Sequence, residues 1–253
     1  PQVAPIYVNL GSTLRHADRL LEATAAYQQA ILLEPGRSEP HMYLAMVLRD
    51  LGHWEQARDQ VGEAVRLAPS SAPAWHNLGN IERDLQHLEA AIEAHQKAIA
   101  LEPAAADPYF GLGNDGVEAG LFVRAADAYH GAIERRPDYA AAFDHLCRAL
   151  HGQGLLAEAI ASYDRAIALR ADLRFTHGNR LYALHGALDA RASADEHLRW
   201  GRAVEATIER FATHDNDRDP ERRLRIGFVS GDFREHPVGR FILPVFAARD
   251  RSA

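Results

Sequence analysis

Leucine recurs along the chain at Leu10, Leu44, Leu78, Leu112 and Leu146, and a small residue follows each one: Gly11, Ala45, Gly79, Gly113 and Cys147. Two alanine columns keep the same step, Ala23, Ala57, Ala91, Ala125 and Ala159, then Ala30, Ala64, Ala98, Ala132 and Ala166. Between them stands a mostly large residue (Tyr27, Val61, His95, Tyr129, Tyr163), and ahead of the leucines a mostly aromatic one (Tyr7, His41, Trp75, Tyr109, Phe143). Pro35, Pro69, Pro103 and Pro137 fall 34 residues apart, and Ala171 takes the next mark. Counting back from these marks gives five units, 4–37, 38–71, 72–105, 106–139 and 140–173, with a degraded sixth beginning at Arg174. Each unit is predicted to be two short helices, the proline standing where the second has ended. The small residues let the two backbones approach, and the large ones fill the space between neighbours. One such pair cannot bury its apolar stripe alone, so the units are expected to stack, with the first helices lining a concave face.

A fixed period of 34 resembles the tetratricopeptide repeat. The resemblance implies an all-α right-handed superhelix, an α-solenoid, over residues 4–173. The sixth place of each unit is expected to look into the concave face, and it reads Asn9, Tyr43, Asn77, Gly111, His145 and Asn179; the ninth adds Asn80 and Asn114. A carboxamide both donates and accepts. Repeated at this interval, such groups form a rail for the backbone of an extended peptide, or they are simply solvated. Asn9, Asn77 and Asn179 are the candidate peptide contacts. Cys147 stands in the small-residue column and is expected to be a buried filler rather than a reactive thiol. As the chain's one cysteine it excludes an internal disulfide and fits a reducing compartment.

Past residue 173 the period fails. Phe175–His185 reads as a helix, Leu188–Ala192 as a turn, and Ser193-Ala194-Asp195-Glu196 as a capping box opening a helix that runs to about Phe211. Residues 174–212 are thus a degenerate unit with connecting helices. Residues 213–223, rich in Asp and Arg, read as a linker. From 224 to 253 the character changes. Leu224–Val229 is a short apolar strand, Ser230-Gly231-Asp232 breaks it, and from Pro237 the apolar residues Val238, Phe241, Ile242, Val245 and Phe246 take helical spacing. The order is that of the first βα unit of an α/β domain, where ligands bind at the carboxyl ends of strands. A lone parallel strand leaves its backbone groups unpaired, so a larger protein is expected to continue past Ala253. A segment is likewise expected ahead of Pro1.

Trp75-His76-Asn77-Leu78-Gly79-Asn80, together with Arg223-Leu224-Arg225-Ile226-Gly227-Phe228-Val229-Ser230-Gly231-Asp232-Phe233 and His236-Pro237, resembles the O-GlcNAc transferases of glycosyltransferase family 41, and more narrowly their bacterial homologues with few repeats. The resemblance implies that residues 224–253 open the N-terminal lobe of a Rossmann-like GT-B domain. It implies an inverting, metal-independent transfer of GlcNAc from UDP-GlcNAc to Ser or Thr of acceptor proteins held in the repeat groove. No cofactor is implied beyond that donor substrate. The present residues alone are not expected to turn over. The family's active-site histidine maps onto His236, while Tyr43, Gly111 and His145 depart from its asparagine ladder. The residues alone offer His236 as a base, since an imidazole titrates near the right pH, or as an ordinary loop histidine. Asp232, at the strand's end, is its rival as base or helix cap. Two other readings stand beside this one: a non-catalytic tetratricopeptide interaction scaffold, and a related transferase with another sugar or acceptor. The 224–246 segment separates the first of these from a transferase.

Composition narrows the field further. Of 253 residues, 47% are hydrophobic and 25% charged, which is ordinary for a soluble protein. A net charge of −7 argues against a nucleic-acid partner. No apolar run approaches the ~18 residues of a membrane span, and no secretion signal is visible, so a cytoplasmic location is expected. The 14 histidines form no close ligand pattern for a metal. Gly111-Leu112-Gly113 falls inside a repeat helix and is no phosphate cradle.

Overall fold

The computed structural model describes residues 3–169, 174–184 and 189–206, which all lie in one compact unit. Among the described residues there are twelve helices: α1 (Ala4–His16), α2 (Leu20–Leu33), α3 (Ser38–Asp50), α4 (Trp54–Leu67), α5 (Ala72–Asp84), α6 (Leu88–Leu101), α7 (Ala106–Glu118), α8 (Phe122–Arg135), α9 (Ala140–Gly152), α10 (Leu156–Leu169), α11 (Arg174–Leu184) and α12 (Ala190–Ala206). The first helices thus start every 34 residues. Pro5 and Pro73 sit in the first turn of α1 and α5, where a fixed φ helps and no amide proton is needed.

Each of the first five hairpins turns at its fifteenth residue, where φ is positive: Asp18 (58°), Gly52 (78°), Gln86 (64°), Gly120 (71°) and Gly154 (78°). The next amide closes back over the helix end, as in His53 N to Leu48 O at 2.8 Å and Leu121 N to Gly116 O at 2.7 Å. This loop satisfies carbonyls that the helix end would otherwise leave bare. Glycine takes that backbone without strain, whereas Asp18 and Gln86 each bear roughly 1 kcal/mol for it.

Inside each hairpin, size is matched across the pair. A Cβ on Gly11 would lie 2.6 Å from Tyr27 Cε1, one on Gly79 2.7 Å from His95 Cε1, and one on Gly113 2.6 Å from Tyr129 Cδ1. Where the small residue gains a methyl, at Ala45, the facing residue shrinks to Val61, and both are fully buried. The alanines of both columns are at 0% exposure, so a larger side chain there would push the helices apart. Cys147 is buried in the same way. Its thiol donates to Phe143 O at 2.8 Å, and burial pushes its pKa up, away from the thiolate.

Successive units meet second helix to first helix (α2 on α3, α4 on α5, α6 on α7, α8 on α9, α10 on α11). The first helices also touch one another in series from α1 to α9, forming one continuous face. A charge ladder crosses these junctions with a step of 35: Arg15 pairs with Asp50, Arg49 with Asp84, and Arg83 reaches Glu118 at 3.8 Å. The outer rungs are partly exposed, so each adds under ~1 kcal/mol and chiefly fixes alignment.

Two expectations are corrected. The fold class does not include a βα Rossmann-like GT-B unit among the described residues: they are helical throughout, with no strand, and form a tetratricopeptide solenoid. The segments expected as linker (213–223), strand (224–229) and following helix lie outside the described residues. Of the turn expected at Leu188–Ala192, Leu188 lies outside the described residues, and Ala190–Ala192 instead begin α12. The Asp189 carboxylate accepts from Ala192 N at 2.8 Å, so Asp189, not Ser193, caps the helix.

Candidate functional site: the inner face and the joints between units

Three places meet at each joint: the ninth and twenty-fourth of one unit and the sixth of the next. In the first joint, Ser12 and the Tyr27 hydroxyl lie 3.1 Å apart, and the Tyr27 ring packs on Tyr43 at 5.7 Å between centroids. In the fourth, the Asn114 oxygen accepts from the Tyr129 hydroxyl at 2.8 Å and from His145 Nδ1 at 2.7 Å. The sixth place is therefore a packing position against the preceding unit. This explains why Tyr43, Gly111 and His145 depart from asparagine: each completes a contact. The ninth-place asparagines are also engaged. Asn114 is closed as described, and Asn80 pairs with His76 Nε2 at 3.0 Å and accepts from Arg83 Nη2 at 3.0 Å.

The third joint is the most polar. His95 is fully buried and donates from Nδ1 to Asp115 Oδ2 at 2.5 Å, while Arg83 donates to Asp115 Oδ1 at 3.1 Å. His95 Nε2 faces the α-carbon of Gly111: a Cβ there would lie 2.7 Å from His95 Cδ2 and closer still to Nε2. His95 Nε2 and the neighbouring His76 Nδ1 are buried without a hydrogen-bond partner among the described residues, and their rings are 5.2 Å apart. Burial, reinforced by His95, pushes His76 down to about 4 from 6.5. His76 is thus neutral in the fold, while the unfolded chain takes up a proton below 6.5. Its contribution to stability is fully present above 6.5 and is lost as pH falls toward 4, about 3 kcal/mol in all. Burial lowers His145 in the same sense. The melting temperature is expected to drop from pH 7 to pH 4, and to drop less in His76→Asn; an equal drop in both proteins would show that His76 is not the group involved.

The candidate peptide contacts are distributed unevenly. Asn9 and Asn179 are exposed and Asn77 half-buried, and none of these carboxamides makes a hydrogen bond among the described residues. At the second joint the places around Asn77 are held by Met46 and Val61, which offer it no polar partner. At the fifth joint Asn179 shares a cleft of about 340 Å³ with Arg148, Tyr163 and Tyr182. His236 and Asp232 lie outside the described residues. Sequence reasoning missed Arg83, His95 and Asp115. The available signals were Asp115 in a column otherwise read as Thr13, Val47, Ile81 and Ala149, and His95 in a column of Tyr and Val. Among the described residues no cluster of His, Cys, Asp and Glu is placed to hold a metal, and no helix is long and apolar enough to cross a membrane.

Three repeat families match in sequence: tetratricopeptide repeat over residues 14–80 and again over 110–173, and TPR repeat over 79–114. No curated protein sequence matches the chain. Among solved structures, the MamA protein is similar at 28% identity and a TM-score of 0.57, over 66% of this chain and 92% of that one. YrrB, described as a TPR protein with an unusual peptide-binding site, is similar at 21% identity and a TM-score of 0.55, over 72% and 90%. PilF of Pseudomonas aeruginosa is similar at 15% identity and a TM-score of 0.69, over 80% and 92%; these last two likenesses concern the fold. Helical hairpins stepping by 34, matched over 14–173 by three repeat families, are tetratricopeptide repeats.

Proposed function

We propose that the chain is a docking scaffold whose inner face holds an extended segment of a partner protein. The observation behind this is the set of carboxamides at Asn9, Asn77 and Asn179, without a hydrogen bond among the described residues and carried at one place of the repeat, the first two on first helices that follow one another along a single face. An amide group offers a peptide backbone a donor and an acceptor without reading its side chains. Titration with extended peptides, blocked at both ends, is expected to show binding that Asn9→Ala with Asn77→Ala weakens by about thirtyfold, each lost hydrogen bond contributing ~1 kcal/mol. Unchanged affinity in that double variant, with the fold intact, would remove the rail from the account.

A second reading has one observation in its favour, the Arg223–Phe233 stretch with His236-Pro237. In it the docked segment is an acceptor whose Ser or Thr receives GlcNAc from UDP-GlcNAc, with His236 as base and Asp232 as its rival. Release of UDP in the presence of a bound acceptor separates this reading from a scaffold alone.

A further inference from the structure

The fifth joint has the same three places as the fourth, but among the described residues no hydrogen bond closes it. In the fourth, Asn114, Tyr129 and His145 satisfy one another. In the fifth the equivalents are Arg148, Tyr163 and Asn179, and none of these side chains forms a hydrogen bond or ion pair among the described residues. The charge ladder has already lapsed one joint earlier: Arg15, Arg49 and Arg83 each meet a carboxylate of the next unit, whereas at the fourth joint the rung would join Val117 to Gly152. Arg148 is an exposed arginine on α9 with no ion pair among the described residues. Asp144, one turn earlier on α9, has Oδ1 buried without a partner, and its charge acts on Cys147 and Tyr163.

The three open groups share a chemical bias. A guanidinium and a phenol present protons, and the amide of Asn179 adds two more. Among the described residues no carboxylate lines the cleft. Around it stand Phe122, His151 and Tyr182; the last two rings lie 6.1 Å apart, and Tyr182 is 70% exposed. We infer that this cleft is an acidic-side-chain subsite: it takes the carboxylate of an Asp or Glu within an extended partner segment, between Arg148, Tyr163 and Asn179, with the neighbouring residue lying over Tyr182. The inference rests on the peptide-docking reading and gives it a direction, because Asn77 and Asn9 lie on the same face toward the opposite end. A carboxylate beside a guanidinium makes charge-assisted hydrogen bonds, about twice as strong as neutral ones.

Peptides selected by display on the wild-type chain and resynthesised with acetyl and amide ends provide the test. The selected sequences are expected to share an acidic position. Its Glu→Gln change weakens binding by about tenfold in the wild type and by under about twofold in Arg148→Gln, with Tyr163→Phe in between. Tyr163→Phe removes only a hydroxyl and keeps the packing, so the result stands even if Arg148→Gln proves poorly folded. Peptides that bind but share no acidic position, or that lose equally in wild type and both variants, overturn the subsite and leave the groove. Peptides that bind only with a free C-terminal carboxylate overturn the side-chain source. Failure to select any peptide overturns the groove and the subsite together.

Discussion

Asp115→Ala is expected to destabilise the protein by about 4 kcal/mol, far more than loss of any acidic residue of the ladder. The Asp115 carboxylate is fully buried and both its oxygens are engaged, one by His95 and one by Arg83. Removing it leaves a nearly buried guanidinium, 12% exposed, and a wholly buried imidazole with no acceptor. Asp84→Ala is the matched control. Its carboxylate is 24% exposed and pairs with Arg49 across the preceding joint, so its loss is expected to cost under ~1 kcal/mol. Urea unfolding of the two variants checks this, and similar losses in both would sink the account. The position of the network gives a second readout. The apolar core runs in two stretches, one from Val8 to Ile81 and one from Ala125 to Ala183, and the polar joint stands between them. In stacked repeats stability is roughly a sum over units and their junctions, so the Asp115→Ala transition is expected to broaden or split.

Gly111→Asn, which would extend the row of asparagines, is expected to destabilise by about 3 kcal/mol. The new Cβ would fall within the imidazole of His95, which cannot retreat: Asp115 holds one edge, and Gly79 already lies against the other. The signature is conditional. In a His95→Ala background the same change is expected to cost within ~0.5 kcal/mol of nothing, because the ring that it strikes is gone. Thermal or urea unfolding of the four proteins gives the coupling directly, and a full loss in both backgrounds would show that Gly111 matters for another reason.

How much of this was legible beforehand depends on whether a feature repeats. Leu44 and its equivalents, the alanine columns and the prolines recur, and α1 to α10 follow their spacing. The left-handed turn residue recurs too, but in two of the five hairpins it is Asp18 or Gln86; nothing in side-chain chemistry joins them to Gly52, and only the backbone shows that they are one column. Features that occur once were hidden. His95 and Asp115 are 20 residues apart and belong to different units, so their pairing becomes visible only when α6 is laid on α7. The rail was read too generously for the same reason. Asn80 and Asn114 look as free as Asn77 in the sequence, yet His76, Arg83, Tyr129 and His145 occupy them. Whether an asparagine is available depends on what stands in the neighbouring repeat.

The coupling of His95 to Gly111 and Asp115 also limits how such a chain can be rearranged. Arrays with a uniform period look like interchangeable tiles that recombination could duplicate or excise at will. Excising residues 106–139 here would bring His145 and Ala149 to where Gly111 and Asp115 stood, setting one imidazole against another and stripping both His95 and Arg83 of their anion. The second and third tiles, joined through Arg49 and Asp84 on the rim, have no such lock. The third and fourth are therefore one hereditary block, and lineages that gain or lose repeats should do so on either side of it.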